Sequence, residues 1–441
     1  MDYQEIFDQD QSLQQLIVAE ELRQARKPTL IPSENHASKA VRSALASRLG
    51  DKYSEGYPGA RFYPGNDIID IIEAIAVERA VKLFGVPHAN VQAHSGSPAN
   101  RVIYDTVCKP GDTIMGLGLP DGGHLTHGAD ASITGKHYKV VRYGLRPDGY
   151  LDVEKALGLI EKEKPVLIWV GATAYPRLFP FNAFIDAAER NNCIVAADVS
   201  HIAGLIAAEV HPSPVPHAHI VTTTTHKTLR GPRGAIIMTT ERGLAFRPGL
   251  DKLIDRTLFP GSQGGPHDNV TAAIAIALGE AAHPSFKEYA TAIIENAEAL
   301  ASTLMARGLT IATNGTDNHL MLLYCGKGRG IIVQSALQQA GLLGNKNAFP
   351  NEQSTAFYPS SVRLGTPAVT TRGMMPPQMV QIAGVIAEAM ELVADEVLPE
   401  KGRPAYVRDL QQRLASNNKL GELAAFIEHL CSYFPIPDRH F

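Results

Sequence analysis

The sequence predicts an α/β protein with a large domain on a mostly parallel sheet and a smaller C-terminal α/β domain. Short apolar runs, VLIWVGA (166–172), CIVAAD (193–198), HIVTTTT (219–225) and AIIM (235–238), lack polar alternation and read as strands buried on both faces. Amphipathic stretches separate them; 178–191 reads as a helix, giving the alternation of a βαβ architecture. From about 286 the pattern changes to one long helix followed by shorter elements. The expected division is an N-terminal arm (1–50), a large domain (51–285) and a small C-terminal domain (286–441).

Taken in order, the first clear helix is 68–84, IIDIIEAIAVERAVKLF. Ile68, Ile71, Ile72 and Ile75 follow the i, i+3, i+4, i+7 spacing, which predicts a buried stripe. Asn66 or Asp67 stands where an N-cap is wanted, and Gly85 where a left-handed residue ends the helix. After the strand-rich region, FKEYATAIIENAEALASTLMARG reads as a long helix leading into the second domain. Strands are expected near 309–313 and 319–325, and helices near 331–341, 376–394 and 404–431.

Composition excludes several classes of function. Lys and Arg number 41 against 45 Asp and Glu, a formal charge of −4, so nucleic acid is not an expected partner. No apolar run reaches the roughly 18 residues of a membrane span. The opening MDYQEIFDQDQ lacks the layout of a signal peptide. Cys108, Cys193, Cys325 and Cys431 lie far apart with no metal-ligand spacing, so they read as buried or idle thiols in a reducing compartment. A cytoplasmic enzyme without a metal is expected.

Ligands of open parallel sheets gather at the carboxyl ends of strands, and three segments there carry unusual residues. In VTTTTHKTLRGPRG (221–234), Lys227 follows a strand among hydroxyls and a glycine-rich turn. Such a lysine can be desolvated and form a Schiff base with an aldehyde; the plainer reading is a solvated loop lysine. In IVAADVSHIAG (194–204), Asp198 ends an apolar strand and wants a cationic partner. A protonated pyridine nitrogen and a structural arginine both qualify, and His201 reads as a second contact or a core histidine. In VQAHSGSPAN (91–100), Ser95, Gly96 and Ser97 open a helix and offer N–H groups and hydroxyls to a phosphate. A reactive lysine, an acid for a ring nitrogen and a phosphate cup are together the parts that pyridoxal phosphate requires.

The chain resembles the serine hydroxymethyltransferase family, pyridoxal-phosphate enzymes of the aspartate-aminotransferase fold (fold type I). The likeness runs from LIPSEN (30–35) to TPAVTTRGM (366–374). It includes KYSEGYPG (52–59), HSGS (94–97), GGHLTHGA (122–129), DVSHIAGLIAA (198–208), TTTTHKTLRGPRG (222–234), FPGSQGGP (259–266), GTDNHLML (315–322) and NKN (345–347). The resemblance implies that Lys227 holds the cofactor covalently, that Asp198 pairs with its pyridine nitrogen and that His124 stacks on its ring. Ser95, Gly96, Ser97, Thr173 and His226 match cofactor-side positions, with Tyr53 and Gly261 contributed by a partner subunit. Arg363 and Ser33 match the site of the substrate carboxylate. Glu55 matches the acid/base glutamate and Tyr63 an active-site tyrosine from across the dimer. Thr224, His201 and Arg233 line the same site, and folate contacts fall on Leu119, Gly123, Leu125, Asn347 and Glu55. The implied activity moves the hydroxymethyl group of serine to tetrahydrofolate, giving glycine and methylenetetrahydrofolate, in a homodimer or dimer of dimers.

Several positions depart from the family pattern: Phe62, Pro64 and Asp67 in RFYPGND (61–67), Pro98 after HSGS, Pro120 and Asp121 before GGHLTHG, and His267, Asp268 and Asn269 after QGGP. They open an alternative, a relative acting on α-methylserine or working as a folate-independent aldolase. A silent, binding-only homologue predicts loss of Lys227, Asp198 or Arg363, and all three are present.

Overall fold

The computed structural model describes residues 4–437; the first three residues of the acidic opening and the last four residues lie outside that range. Its centre is a seven-stranded sheet. In chain order the strands are β1 (His88–Asn90), β2 (Thr113–Leu117), β3 (Lys139–Tyr143), β4 (Leu167–Val170), β5 (Ile194–Asp198), β6 (Ile220–Thr224) and β7 (Ala235–Thr239). They lie side by side in the order β1-β7-β6-β5-β4-β2-β3. Strands β6, β5, β4, β2 and β3 pair in parallel, while β7 is antiparallel to both β6 and β1. Thus β7 alone runs against the rest.

The apolar strands alternate between two cores, as a pleated sheet requires. Ile168, Val195, Ala197 and Val221 face one core with Phe184, Ile274 and Leu278. Leu167, Trp169, Ile194, Ala196 and Ile220 face the other, with Ile103, Tyr104 and Ile254. Both faces are covered, which accounts for the uninterrupted hydrophobic runs.

The helix Asp67–Phe84 forms and ends at Gly85 in the left-handed region (φ 66°) as expected, but it buries another face. Its buried residues are Ile69, Glu73, Ala76, Ala80 and Phe84, while Ile68, Ile71 and Ile75 are 66, 56 and 38% exposed. A polar network explains the rotation. Arg61 Nη2 lies 2.7 Å from Glu73 Oε2, and Gln92 Nε2 donates to Glu73 Oε1 at 2.8 Å, so the acid is accommodated inside. Asn66 stands at the N-cap position without capping; its amide donates instead to the carbonyls of Tyr53 and Tyr63.

The expected helix over 178–191 shrinks to a short 3₁₀ turn, Phe181–Ala183, and the helix Ile185–Arg190, because Pro180 breaks the earlier part. The long helix is Pro284–Ala306. Its Phe286, Ala290 and Ile293 pack in the first sheet core, and its Ala297, Leu300 and Leu304 in a separate C-terminal core. That second core surrounds a three-stranded antiparallel sheet of β8 (Leu320–Tyr324), β9 (Asn345–Asn347) and β10 (Ser361–Gly365), in the order β8-β10-β9.

The segment 309–313 is not a strand. Ile311 makes one isolated bridge to Leu323, and the chain then turns through left-handed Thr313 and Asn314 (φ 58° and 55°). The region 404–431 divides into helices Arg403–Ala415 and Asn418–Tyr433, the second capped by the Asn417 side chain. Among the described residues, no helix is long and apolar enough to cross a membrane.

Candidate active site

A cavity of about 470 Å³ opens beyond the carboxyl ends of β5 and β6. Lys227 stands three residues past β6, and its Nζ donates to Thr224 Oγ1 at 2.6 Å. Loss of water around the amine lowers its pKa; Asp198 opposes this, while Arg363 and Arg233 add to it, leaving the value at about 8. The sequence reading of a desolvated lysine therefore prevails over that of a solvated one.

Asp198 ends β5 and is buried. Its Oδ2 accepts from Asn100 Nδ2 at 2.8 Å and lies 3.3 Å from His127 Nε2, while Oδ1 accepts from the Ser200 N–H at 3.1 Å. Burial opposes ionisation, but His127 and the other partners outweigh it and hold the carboxyl well below the usual range. Thr222 Oγ1 donates to Asn100 Oδ1 at 2.8 Å, which orients the Asn100 amide with its donor toward Asp198. His127 lies flat against Trp169, with ring centres 5.0 Å apart.

Burial holds three histidines, His124, His201 and His319, below their ordinary pKa and so neutral. His124 is pushed down to about 4, first by burial, and its Nδ1 lies 2.7 Å from Thr126 Oγ1. His201 Nδ1 lies 3.2 Å from His319 Nε2; burial carries His201 well below its ordinary value and His319 to about 3. Such a pair hydrogen-bonds without adding charge. His124, His127 and Asp198 each place one ligand-type atom within 4.8 Å of the others, the only such metal-capable group found among the described residues.

At the start of the helix Gly96–Val107, Ser95 occupies the N-cap position without a side-chain cap bond, leaving first-turn N–H groups toward the cavity. A Cβ at Gly96 would sit 2.6 Å from Thr224 Cγ2, so the close approach of helix and strand requires glycine. Pro98 falls in that first turn, where its missing N–H costs no helical bond. His226 lines the same cavity with a buried Nδ1 that has no partner, an orphan that a ligand oxygen could satisfy, and burial lowers its pKa to about 3.

Arg363 projects from β10; its Nε donates to Asn345 Oδ1 at 3.1 Å and its Nη1 to the Thr173 carbonyl at 2.6 Å. Burial lowers it to about 10, and no carboxylate pairs with it among the described residues. Lys227, Arg233 and Arg363 outnumber Asp198, so the cavity suits a ligand bearing anionic groups.

Ser33, Ser97, Gly123, Thr173 and Asn347 also line the cavity, and Leu119 and Leu125 line it with exposed side chains. Tyr53, Glu55, Tyr63 and Gly261 do not line it. The rings of Tyr53 and Tyr63 meet edge to face at 5.0 Å, and Glu55 reaches toward Gly264. Within one chain these four stand apart from Lys227. Phe62, Pro64, Asp67, Pro98 and Asp121 are also absent from the lining. Phe62 packs against Phe259, Asp121 seats its carboxylate against Gly118 and Gly144, and His267 stacks on His94 at 4.1 Å. Sequence reasoning assigned no role to His127, Asn100, Ser200 or His319; the available signals were their places in motifs, His127 in GGHLTHG, Ser200 in DVSHIAGLIAA and His319 in GTDNHLML.

A sheet with one reversed strand, a desolvated lysine beyond β6 and a buried, ionised aspartate ending β5 define a pyridoxal-phosphate enzyme of fold type I. The residues present fit that cofactor: Lys227 for its aldehyde, Asp198 for its ring nitrogen, and the Ser95–Ser97 turn with His226 for its phosphate. The family model described as serine hydroxymethyltransferase matches residues 6–386, and the chain belongs to that family. Three relatives of that name align over 97% of this chain. They come from Acidothermus cellulolyticus (49% identical, 96% of that protein), Sorangium cellulosum (45%, 95%) and Desulfotalea psychrophila (44%, 95%).

Proposed function

We propose that this chain transfers the hydroxymethyl group of L-serine to tetrahydrofolate, yielding glycine and methylenetetrahydrofolate. The observation that carries the reading is the convergence of Lys227, Asp198 and an acid-free Arg363 on one cavity. Bound pyridoxal phosphate supplies an electron sink for the amino acid's Cα. Lys227, with its pKa near 8, offers about a tenth of its amine in the neutral form at pH 7, far more than an ordinary lysine, and Thr224 orients it. Asp198 stays ionised and would hold the proton of the ring nitrogen; Asn100 and His127 fix its carboxylate. Arg363 takes the substrate carboxylate in a planar fork, with Ser33 beside it. His201 lines the site, and its neutral pairing with His319 adds no charge that competes for that carboxylate.

Leu119 and Leu125, exposed at the cavity, suit a flat folate ring, with Gly123 and Asn347 as further contacts. Glu55, Tyr53, Tyr63 and Gly261 complete the site of a partner subunit, where Glu55 manages the proton between substrate hydroxyl and folate. The exposed faces of Ile68, Ile71 and Phe62 support a homodimer or dimer of dimers. The reading also takes the chain as cytoplasmic, divided into an arm (1–50), a cofactor-binding domain (51–285) and a smaller domain (286–441). Nothing favours the α-methylserine alternative: the three relatives compared all carry the serine hydroxymethyltransferase name.

Steady-state assays with L-serine and α-methyl-L-serine, each with and without tetrahydrofolate, test the reading. Serine should exceed α-methylserine by at least about tenfold in kcat/KM, the discrimination one methyl group provides. Preference for α-methylserine, or serine turnover indifferent to tetrahydrofolate, would contradict it.

A further inference from the structure

We propose that Asn35 is a positioning residue for Lys227, holding the turn that carries the lysine against the long helix that spans both cores. The proposal rests on Lys227 as the cofactor lysine. Asn35 uses its whole amide. Nδ2 donates to the Lys227 carbonyl at 2.9 Å and to Tyr289 Oη at 2.8 Å, while Oδ1 accepts from Thr371 Oγ1 at 2.7 Å and the His36 N–H at 2.9 Å. A backbone N–H can only donate and a carbonyl can only accept, so these partners fix which end of the amide faces Lys227.

The same turn is gripped from its other end. The Lys227 carbonyl also accepts from the Arg230 N–H at 3.1 Å, and Arg230 holds a left-handed backbone (φ 56°) that a bulky residue seldom adopts. The buried Arg230 guanidinium lies 3.9 Å from the centre of the Tyr289 ring. Tyr289 therefore clamps the turn twice, through its hydroxyl to Asn35 and through its ring to Arg230. It sits on the helix Pro284–Ala306, which spans both cores.

Asn35 lies outside the cavity but joins segments that lead into it. Ser33, two residues earlier, lines it, and Thr371 lies on the short helix Pro367–Thr371 just after the strand of Arg363. One side chain thus ties the lysine turn to the segments that bear the expected carboxylate contacts. Loss of its donor leaves the Lys227 carbonyl with one bond and frees the turn to shift.

Asn35→Ala, Tyr289→Phe and the double variant are compared as apoproteins. The readouts are the rate of covalent capture of saturating pyridoxal phosphate, followed by visible absorbance per folded molecule, and the melting temperature. Asn35→Ala should slow capture roughly tenfold, the size of effect expected when one buried hydrogen bond is lost. Tyr289→Phe, which keeps the ring, should slow it in the same direction, and the double variant should be within about twofold of Asn35→Ala because both act on one linkage. If Asn35→Ala fails to fold, Tyr289→Phe decides alone. Capture within twofold of wild type in the folded variants, whatever the melting temperature, would overturn the proposal. Absence of capture at Lys227 in the wild type would instead overturn the lysine assignment.

Discussion

Lys227 Nζ donates to Thr224 Oγ1 at 2.6 Å across a single turn, so the last residue of β6 orients the amine that the strand delivers. The contact is to a neutral hydroxyl, and burial above all, with the cations Arg363 and Arg233, disfavours the charged amine more than Asp198 favours it. The lysine is thereby prepared as a nucleophile before any ligand arrives.

This sets a pH dependence for cofactor capture by the apoprotein. Only the neutral amine attacks, so the rate rises with pH and levels once the amine is deprotonated. With Lys227 at about 8, the bend should fall near pH 8. An ordinary lysine would bend near about 10.4. Stopped-flow absorbance across pH 6–10.5 separates the two results.

Asp198→Asn should leave the cavity shape nearly unchanged and remove the charge proposed to pair with the ring nitrogen. Breaking a buried ionic pair costs about 3–5 kcal/mol, which corresponds to a loss of at least about 100-fold in kcat. Capture on Lys227 should persist. Near-normal kcat in a fully loaded variant would assign the aspartate another role.

How far the sequence disclosed this site follows from the chemistry of each residue. Lys227 and Asp198 were legible because a polar group at the end of an apolar strand is costly without a partner. The four apolar strands read in the large sheet were legible because runs without alternation need cover on both faces. The isoleucine stripe of Asp67–Phe84 misled, because Glu73 is buried by pairing with Arg61 and Gln92 from distant segments. Asn100 was silent and His127 was marked only by its place in GGHLTHG; their value arises where the fold brings them to the Asp198 carboxylate. The strands β9 and β10 were missed because Asn345–Asn347 and Ser361–Gly365 are short and carry polar residues.

Because Tyr53, Glu55, Tyr63 and Gly261 stand outside the cavity of their own chain, two inactive variants should complement each other. Lys227→Ala mixed with Glu55→Ala at equal amounts should regain about a quarter of full sites after random exchange, from twofold symmetry. Each mixed dimer carries one intact site and one doubly defective site. No recovery after verified exchange would place each complete site within one chain.

The central claim is that Lys227 bonds covalently to pyridoxal phosphate, and borohydride reduction followed by peptide mass spectrometry tests it most directly. Reduction should abolish the visible absorbance of the holoprotein and leave a pyridoxyl group on the peptide containing Lys227. A pyridoxyl group on another lysine, or none on the reduced protein, would contradict the account.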